Sequence, residues 1–319
     1  NLKKQVTIIN NIKLENMKKI SFLIFFTTLL LSCNNSDDTS LVESPYVPSA
    51  AALKNLFDTN LNAIKQTGTF SSSGMFTFTS SAGATVNIDG TCLRKNGLPV
   101  TGNVDVEYIE IFDRGTMLLT NKSTMGQDIN GDFVAMESGG EVLVKVKQNG
   151  VELTTICDYE IKMPASNTGG VKPGMAPFYG TINPAGDISW TTATVSEFYV
   201  TTSPDKYNVL LGDFKWFNYD KLPATGPRTT ITVNIPSQYV NASTVFLSTN
   251  AKPNSLGGIV GKWNIGLQCN IIFLAEENGN FRYAIKPITV INNHVVTFNT
   301  SETAIATPVQ MKTILNNLP

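Results

Sequence analysis

From Thr69 onward, apolar residues recur at every second position. Phe76 and Phe78 alternate with polar neighbours, as do Val86 and Ile88, then Val142, Val144 and Val146, and later Ile231, Val233 and Ile235. A period of two predicts half-buried β-strands. Two stretches keep a helical period instead. Over Ser49–Gln66, residues Leu53, Leu56, Phe57, Leu61 and Ile64 share one face, with Ser49 placed to cap the start and Gly68 to end it. This helix is expected to pack on the first β domain. In "TPVQMKTILNNLP", residues Met311, Ile314, Leu315 and Leu318 share a face. Thr307 and Gln310 form a capping box there, and Pro308 takes the first helical position.

Turn chemistry separates the strands. Asn-Gly occurs at Asn96, Asn130, Asn149 and Asn278. Three of the four lie between strand patterns and predict type I′ hairpins. In "GNVDVEYIEIF" the alternation slips between Tyr108 and Ile109, which calls for a bulge or for burial of both faces. The stretch "PASNTGGVKPGMAP" (164–177) is rich in Pro and Gly and reads as a linker. The pattern therefore predicts an all-β protein of two β-sandwich domains, one over 49–165 with the N-terminal helix, one over 177–319 with the C-terminal helix, joined by 166–176. "LPVTG" (98–102) and "LPATG" (222–226) match a sortase signal in letters only. Each precedes a strand, where Pro and Gly make a turn into a sheet.

A third pattern lies near the start. Met17 and two lysines precede an uncharged run, Ile20–Leu31, then Ser32-Cys33. A basic end, an apolar stretch and a small residue before a cut point predict an exported chain, and twelve apolar residues are too few to span a bilayer. The reading starts the protein at Met17, with 1–16 as upstream translation, 17–32 as signal peptide and 33–48 as a flexible tether. "LLSC" resembles the lipobox of bacterial lipoproteins. The resemblance implies cleavage before Cys33 and lipid attachment to its thiol. Ser36, Asp37 and Asp38 resemble the signal that sends Bacteroidetes lipoproteins to the outer face of the outer membrane. With "GLPVTGNVDVEYIEIFDRGTM" and the valine-rich hairpin that follows, the chain as a whole is similar to surface lipoproteins of the Bacteroidetes. That likeness implies sandwich modules of an immunoglobulin-like or carboxypeptidase-regulatory-like kind, and attachment to the outer membrane facing the cell exterior.

Composition narrows the chemistry. The 319 residues are 42% apolar and only 15% charged. Lys3, Lys4, Lys13, Lys18 and Lys19 all precede Cys33, so the remainder is acidic and lacks a basic footprint for nucleic acid. His294, in "VINNHVVTF", is the one histidine and sits where a hairpin edge is expected. Past Cys33, the cysteines are Cys92, Cys157 and Cys269. Cys157 shares strand parity with Leu153 and Tyr159, which favours a buried thiol there over a bridge to Cys92. "DINGD" spaces Asp128, Asn130 and Asp132 like a calcium loop, but its Gly is misplaced and a hairpin turn fits better. No metal or other cofactor is expected.

"FKWFNYD" concentrates aromatics, and Trp216, Phe217, Tyr219 and Trp263 are the candidate ligand or partner contacts. Core packing is the competing role for all four. The expected function is a non-catalytic, lipid-anchored surface module that binds a protein or a glycan. The alternatives are a structural accessory subunit of an outer-membrane complex, and a glycan hydrolase built on two carboxylates.

Overall fold

The computed structural model describes residues 46–193, 198–203 and 205–319. Cys33, Ser36, Asp37 and Asp38 lie outside them, as does the expected signal peptide. Among the described residues, no helix is long and apolar enough to cross a membrane.

Among the described residues, three short helices accompany many strands. They are α1 (Ala50–Ala63), α2 (Arg114–Thr120) and α3 (Pro308–Asn316). The principal strands are β1 (Gln66–Ser71), β2 (Met75–Thr79), β3 (Thr85–Asp89), β4 (Asn103–Ile111), β5 (Met125–Gln127), β6 (Phe133–Ala135), β7 (Glu137–Gln148) and β8 (Tyr159–Pro164). They continue with β9 (Ala176–Ile182), β10 (Ile188–Thr192), β11 (Phe198–Ser203), β12 (Lys206–Leu211), β13 (Trp216–Lys221) and β14 (Ile231–Asn234). The last are β15 (Ser243–Thr249), β16 (Gly257–Gly258), β17 (Gln268–Glu277), β18 (Asn280–Thr289), β19 (His294–Thr297) and β20 (Ala304–Ala306). The all-β, sandwich-like class is as the alternation predicts.

The sheets stack in layers. An outer sheet has the order β11-β12-β8-β3-β2, and a nine-stranded central sheet runs β1-β4-β7-β13-β9-β10-β5-β6, with Val151–Glu152 added on β7. Val86, Ile88, Val106, Val142, Val144, Ile161 and Val209 fill the space between them. The other face of the central sheet meets all three helices and a third sheet, β16-β15-β17-β18-β20, around Trp190, Trp216, Phe246 and Phe281. The third sheet buries its far face with the parallel pair β14/β19, around Phe273, Trp263 and Phe298.

These layers revise the domain division. Strand β13 pairs with β7, and β12 with β8, so ladders cross the segment 166–176. Residues 47–319 form one compact unit. The Pro/Gly-rich stretch is an internal crossover: Ala165–Thr168 makes a 3-10 turn, Gly170 N donates to Ala165 O (2.8 Å) and Lys172 pairs with Glu137. Pro and Gly mark turns inside a domain as readily as joints between domains, which is why the composition misled.

The parity slip in β4 has its explanation in burial. Its register with β7 is unbroken from Asp105 to Ile111, while Tyr108 (0% exposed) and Ile109 (5%) fill cores on opposite faces. A strand in the middle layer of a stack is apolar on both sides. Asn96, Asn149 and Asn278 adopt positive φ (51–52°) before Gly97, Gly150 and Gly279, as two-residue I′ turns require.

Helix α1 starts at Ser49, whose Oγ accepts from Ala52 N at 3.3 Å. Leu53, Leu56 and Phe57 are buried, each worth about 1.5–3 kcal/mol. The helix does not rest on the first sandwich alone. Phe57 meets Phe281 of β18 at 5.9 Å, so α1 covers the seam between the central and third sheets. Helix α3 has the predicted capping box and N-terminal Pro. Helix α2, which the strand pattern did not show, is buried along its whole length.

Candidate functional site

The four aromatic candidates belong to cores. Trp216 (5% exposed) packs edge-on against Trp190 at 6.5 Å in the middle core. Phe217 and Tyr219 face the first core, where Tyr219 meets Tyr207 at 4.9 Å. Trp263 (2% exposed) lies in the third. A Cβ on Gly257 would fall 2.3 Å from its ring, so that glycine makes room for the indole. Three cores separate the four residues, and no exposed platform forms. "FKWFNYD" is a strand between two apolar layers, and only the layering distinguishes it from a binding stripe.

Other candidates resolve locally. His294 Nδ1 accepts from Ile291 N (3.2 Å) in the turn before β19. Asp128 closes the β5–β6 hairpin through Asn130 N (2.9 Å) and Asp132 N (3.1 Å), and pairs with Arg228. Among the described residues, no three His, Cys, Asp or Glu side chains gather as metal ligands. Cys92 and Cys157 form a disulfide, which corrects the expectation of a buried thiol at 157. Cys157 is exposed, because the strand pattern breaks at Thr155 and the chain turns toward Cys92, whose carbonyl accepts from Ile156 N (3.1 Å). Cys269 remains free, and burial pushes its thiol up to about 12.

Two carboxylates do approach each other. Asn218 pairs with Glu141 and Asp220 with Ser138 across the β7/β13 ladder, with a bulge between. Gly140 adopts φ 132° there, and its missing side chain leaves space for the Phe112 ring. Asn218 donates to Asp220 Oδ2 (2.6 Å), and Ser138 donates to Asn218 Oδ1 (2.8 Å). Both oxygens of Glu141 are buried without a hydrogen-bond partner. Burial pushes the carboxyls of Glu141 and Asp220 well above their usual range, and Asp220 adds to the effect on Glu141. Both are 0% exposed, so no glycan reaches them in this structure.

A concave feature of the surface lies elsewhere among the described residues. Two hollows of about 530 and 230 Å³ share Asn121, Asp187, Ser243 and Thr244 and make one cleft. One wall grows from the end of α2. Asp113 caps the helix start, accepting from Thr116 N at 2.9 Å. Asn121 ends it in the left-handed conformation (φ 53°). The Asn121 side chain then donates to Asp187 Oδ1 (2.9 Å). Asp187 closes the turn from β9 to β10: Asn183 donates to Asp187 Oδ2 (2.9 Å), and Asp187 N donates to Asn183 Oδ1 (3.0 Å).

Lys122 stands behind this wall. Its ammonium donates to Thr120 O (3.2 Å) and Gly186 O (3.1 Å), tying helix end to turn. Burial lowers its pKa, opposed by the nearby carboxylates of Glu141, Asp58 and Asp187. Trp190 Nε1 donates to Ser123 O (2.8 Å) and fixes the next residue of the loop.

The chain matches no protein-family model and no curated protein.

The facing wall is the edge of the third sheet. Strand β16 pairs with β15 at Phe246 and Leu247, and Ile259 N donates to Val245 O (3.1 Å). Beyond that point the edge of β15 runs on into the cleft as Thr244 and Ser243. Phe133, Ile235 and Ile259 supply apolar surface, with Phe246, Ile188 and Met125 buried beneath. Val260, 83% exposed, stands on the rim. Gly258 also lines the cleft, and a Cβ there would meet nothing closer than Met125 Cγ at 4.0 Å.

The cleft is of ligand-binding size, mixing apolar surface with amide and hydroxyl groups. Among its described lining residues there is no histidine or cysteine, and Asp187 is the single carboxylate. The cleft's residues escape a reading of the sequence because Asn121, Asp187 and Ser243 are brought together only by sheet stacking. The Asn183–Asp187 turn, "NPAGD", was the local signal available.

Proposed function

We propose that this protein is a lipid-anchored, non-catalytic binding module of the bacterial cell surface, attached to the outer membrane through Cys33, and that the cleft between the Asn183–Asp187 turn and the β15 edge is its binding site. The cleft carries the reading: it is of ligand size, its donors and acceptors are held by neighbouring hydrogen bonds, and an exposed valine stands at its mouth. The Cys92–Cys157 disulfide supports export, since such bonds persist in oxidising compartments. The lipobox-like "LLSC" supports the anchor.

The test is a variant that fills the site. Gly258 lines the cleft and a Cβ there meets only Met125 Cγ, at 4.0 Å, so Gly258→Trp directs a bulky ring at the site from an unobstructed Cβ. It is expected to fold with wild-type thermal stability and to lose the ligand. Unchanged retention by a folded Gly258→Trp protein would remove the cleft from the account. Separately, Cys33→Ser is expected to move the protein from the detergent phase to the aqueous phase. No change in partition would remove the anchor.

A further inference from the structure

The occupant of the cleft can be specified further, on the reading that the cleft is the binding site. We infer that it takes an extended peptide segment of a partner protein, paired along the β15 edge, with an apolar side chain in the larger hollow and a Lys or Arg two residues away on Asp187.

Val245 turns its carbonyl to Ile259 N (3.1 Å), so residues of its parity direct their N–H and C=O groups away from β17. Ser243 has that parity and lies at the cleft. The ladder with β16 covers Phe246 and Leu247, and the added bond reaches Val245. The next outward-directed residue is therefore Ser243, and an added strand can continue the pairing there.

Phe133, Ile235 and Ile259, each partly exposed, offer an apolar seat in the larger hollow. Asp187 borders both hollows and is exposed. Its oxygens accept from the neutral amides of Asn121 and Asn183, and among the described residues it has no ion-pair partner. Lys54 lines the smaller hollow but is paired with Asp58 at 2.7 Å. The cleft thus presents one exposed carboxylate beside an apolar seat, and the cations near it are engaged elsewhere: Lys122 behind the wall is bonded to the carbonyls of Thr120 and Gly186, and Lys54 to Asp58. Alternate side chains of a strand point the same way, about 7 Å apart, which sets the two-residue spacing. A glycan is less well matched, because Trp216, Tyr219 and Trp263, the rings that would stack on a sugar face, are in cores.

The experiment is selection of a phage-displayed random heptapeptide library on the full chain, with Gly258→Trp as counter-selection. The expected result is enrichment of an apolar residue two positions from Lys or Arg. On Asp187→Asn, the apolar preference is expected to persist while the basic preference falls by about threefold or more. If the library shows no enrichment, or a motif without that pairing, the peptide assignment is overturned. Binding to a glycan array that Gly258→Trp abolishes would also overturn it while leaving the cleft as the site. Ligand retention by folded Gly258→Trp would instead remove the cleft itself.

Discussion

The side-chain amide of Asn121 donates to Asp187 Oδ1 at 2.9 Å, across 66 residues of sequence. The bond joins the residue that caps the end of α2 to the β9–β10 turn and forms the wall that the two hollows share. Asn121→Ala removes this bond and places a Cβ-bearing residue without a polar side chain at φ 53°. The expected cost is about 1–3 kcal/mol. Urea denaturation measures that loss, and hydrogen exchange is expected to show faster exchange at Asp187 N and Gly186 N than in the wild type.

Trp216 distinguishes a core role from a ligand platform. Its replacement by Ala empties a site that is 5% exposed, at an expected cost of about 3–5 kcal/mol. Val260→Ser, on the rim at 83% exposure, is expected to change stability by less than about 0.5 kcal/mol. Chemical denaturation of both variants checks the contrast. Equal, small effects would place Trp216 at the surface.

Glu141 and Asp220 give stability a definite pH dependence. Burial raises both folded-state pKa values above the ordinary 4.5 and 3.8. The folded protein then holds protons that the unfolded chain releases, so these groups cost least below pH 4. Their penalty grows as pH rises above the ordinary values toward the folded ones. The slope is at most about 1.4 kcal/mol per pH unit for each proton. Glu277 has the opposite sign: Arg282 bonds its carboxylate and lowers its pKa, so its contribution is lost as pH falls through the folded value. Glu141→Gln is expected to raise stability at pH 8 relative to wild type and to flatten the decline above pH 5. A wild-type stability that climbs from pH 5 to pH 8 would contradict the assignment.

The Cys92–Cys157 bond spans a sequence separation of 65 and ties the start of one outer ladder to the chain after β7. Constraining a loop of that size in the unfolded chain contributes about 4 kcal/mol. Reduction with dithiothreitol is expected to lower the urea midpoint by a corresponding amount. Cys269 is expected to react with a thiol reagent only under unfolding conditions, since burial holds it protonated.

Much of the fold was legible because strands and caps are local. Ser49, Thr307 with Gln310, and Asn-Gly at 96, 149 and 278 each fix a backbone feature within a few residues, and each acts as its chemistry predicts. What was not legible depends on layers. The alternation over Trp216–Tyr219 is the same whether one face is wet or both are dry, so a buried strand looked like a binding stripe. Segment 166–176 has linker composition, yet strands on either side of it pair. Helix α2 is a seven-residue element with no exposed face. Its signals were the cap at Asp113 and the left-handed stop at Asn121, both hidden behind the strong strand β4. The cleft combines residues 121, 187 and 243, which no sequence window contains.

The most direct test of the binding account compares wild type and Gly258→Trp purified from membranes in mild detergent, by mass analysis of what co-elutes in fixed ratio. The wild type is expected to co-elute with a stoichiometric partner, and the folded variant to lose it. A partner retained equally by both would place the interface elsewhere and contradict the assignment of the cleft.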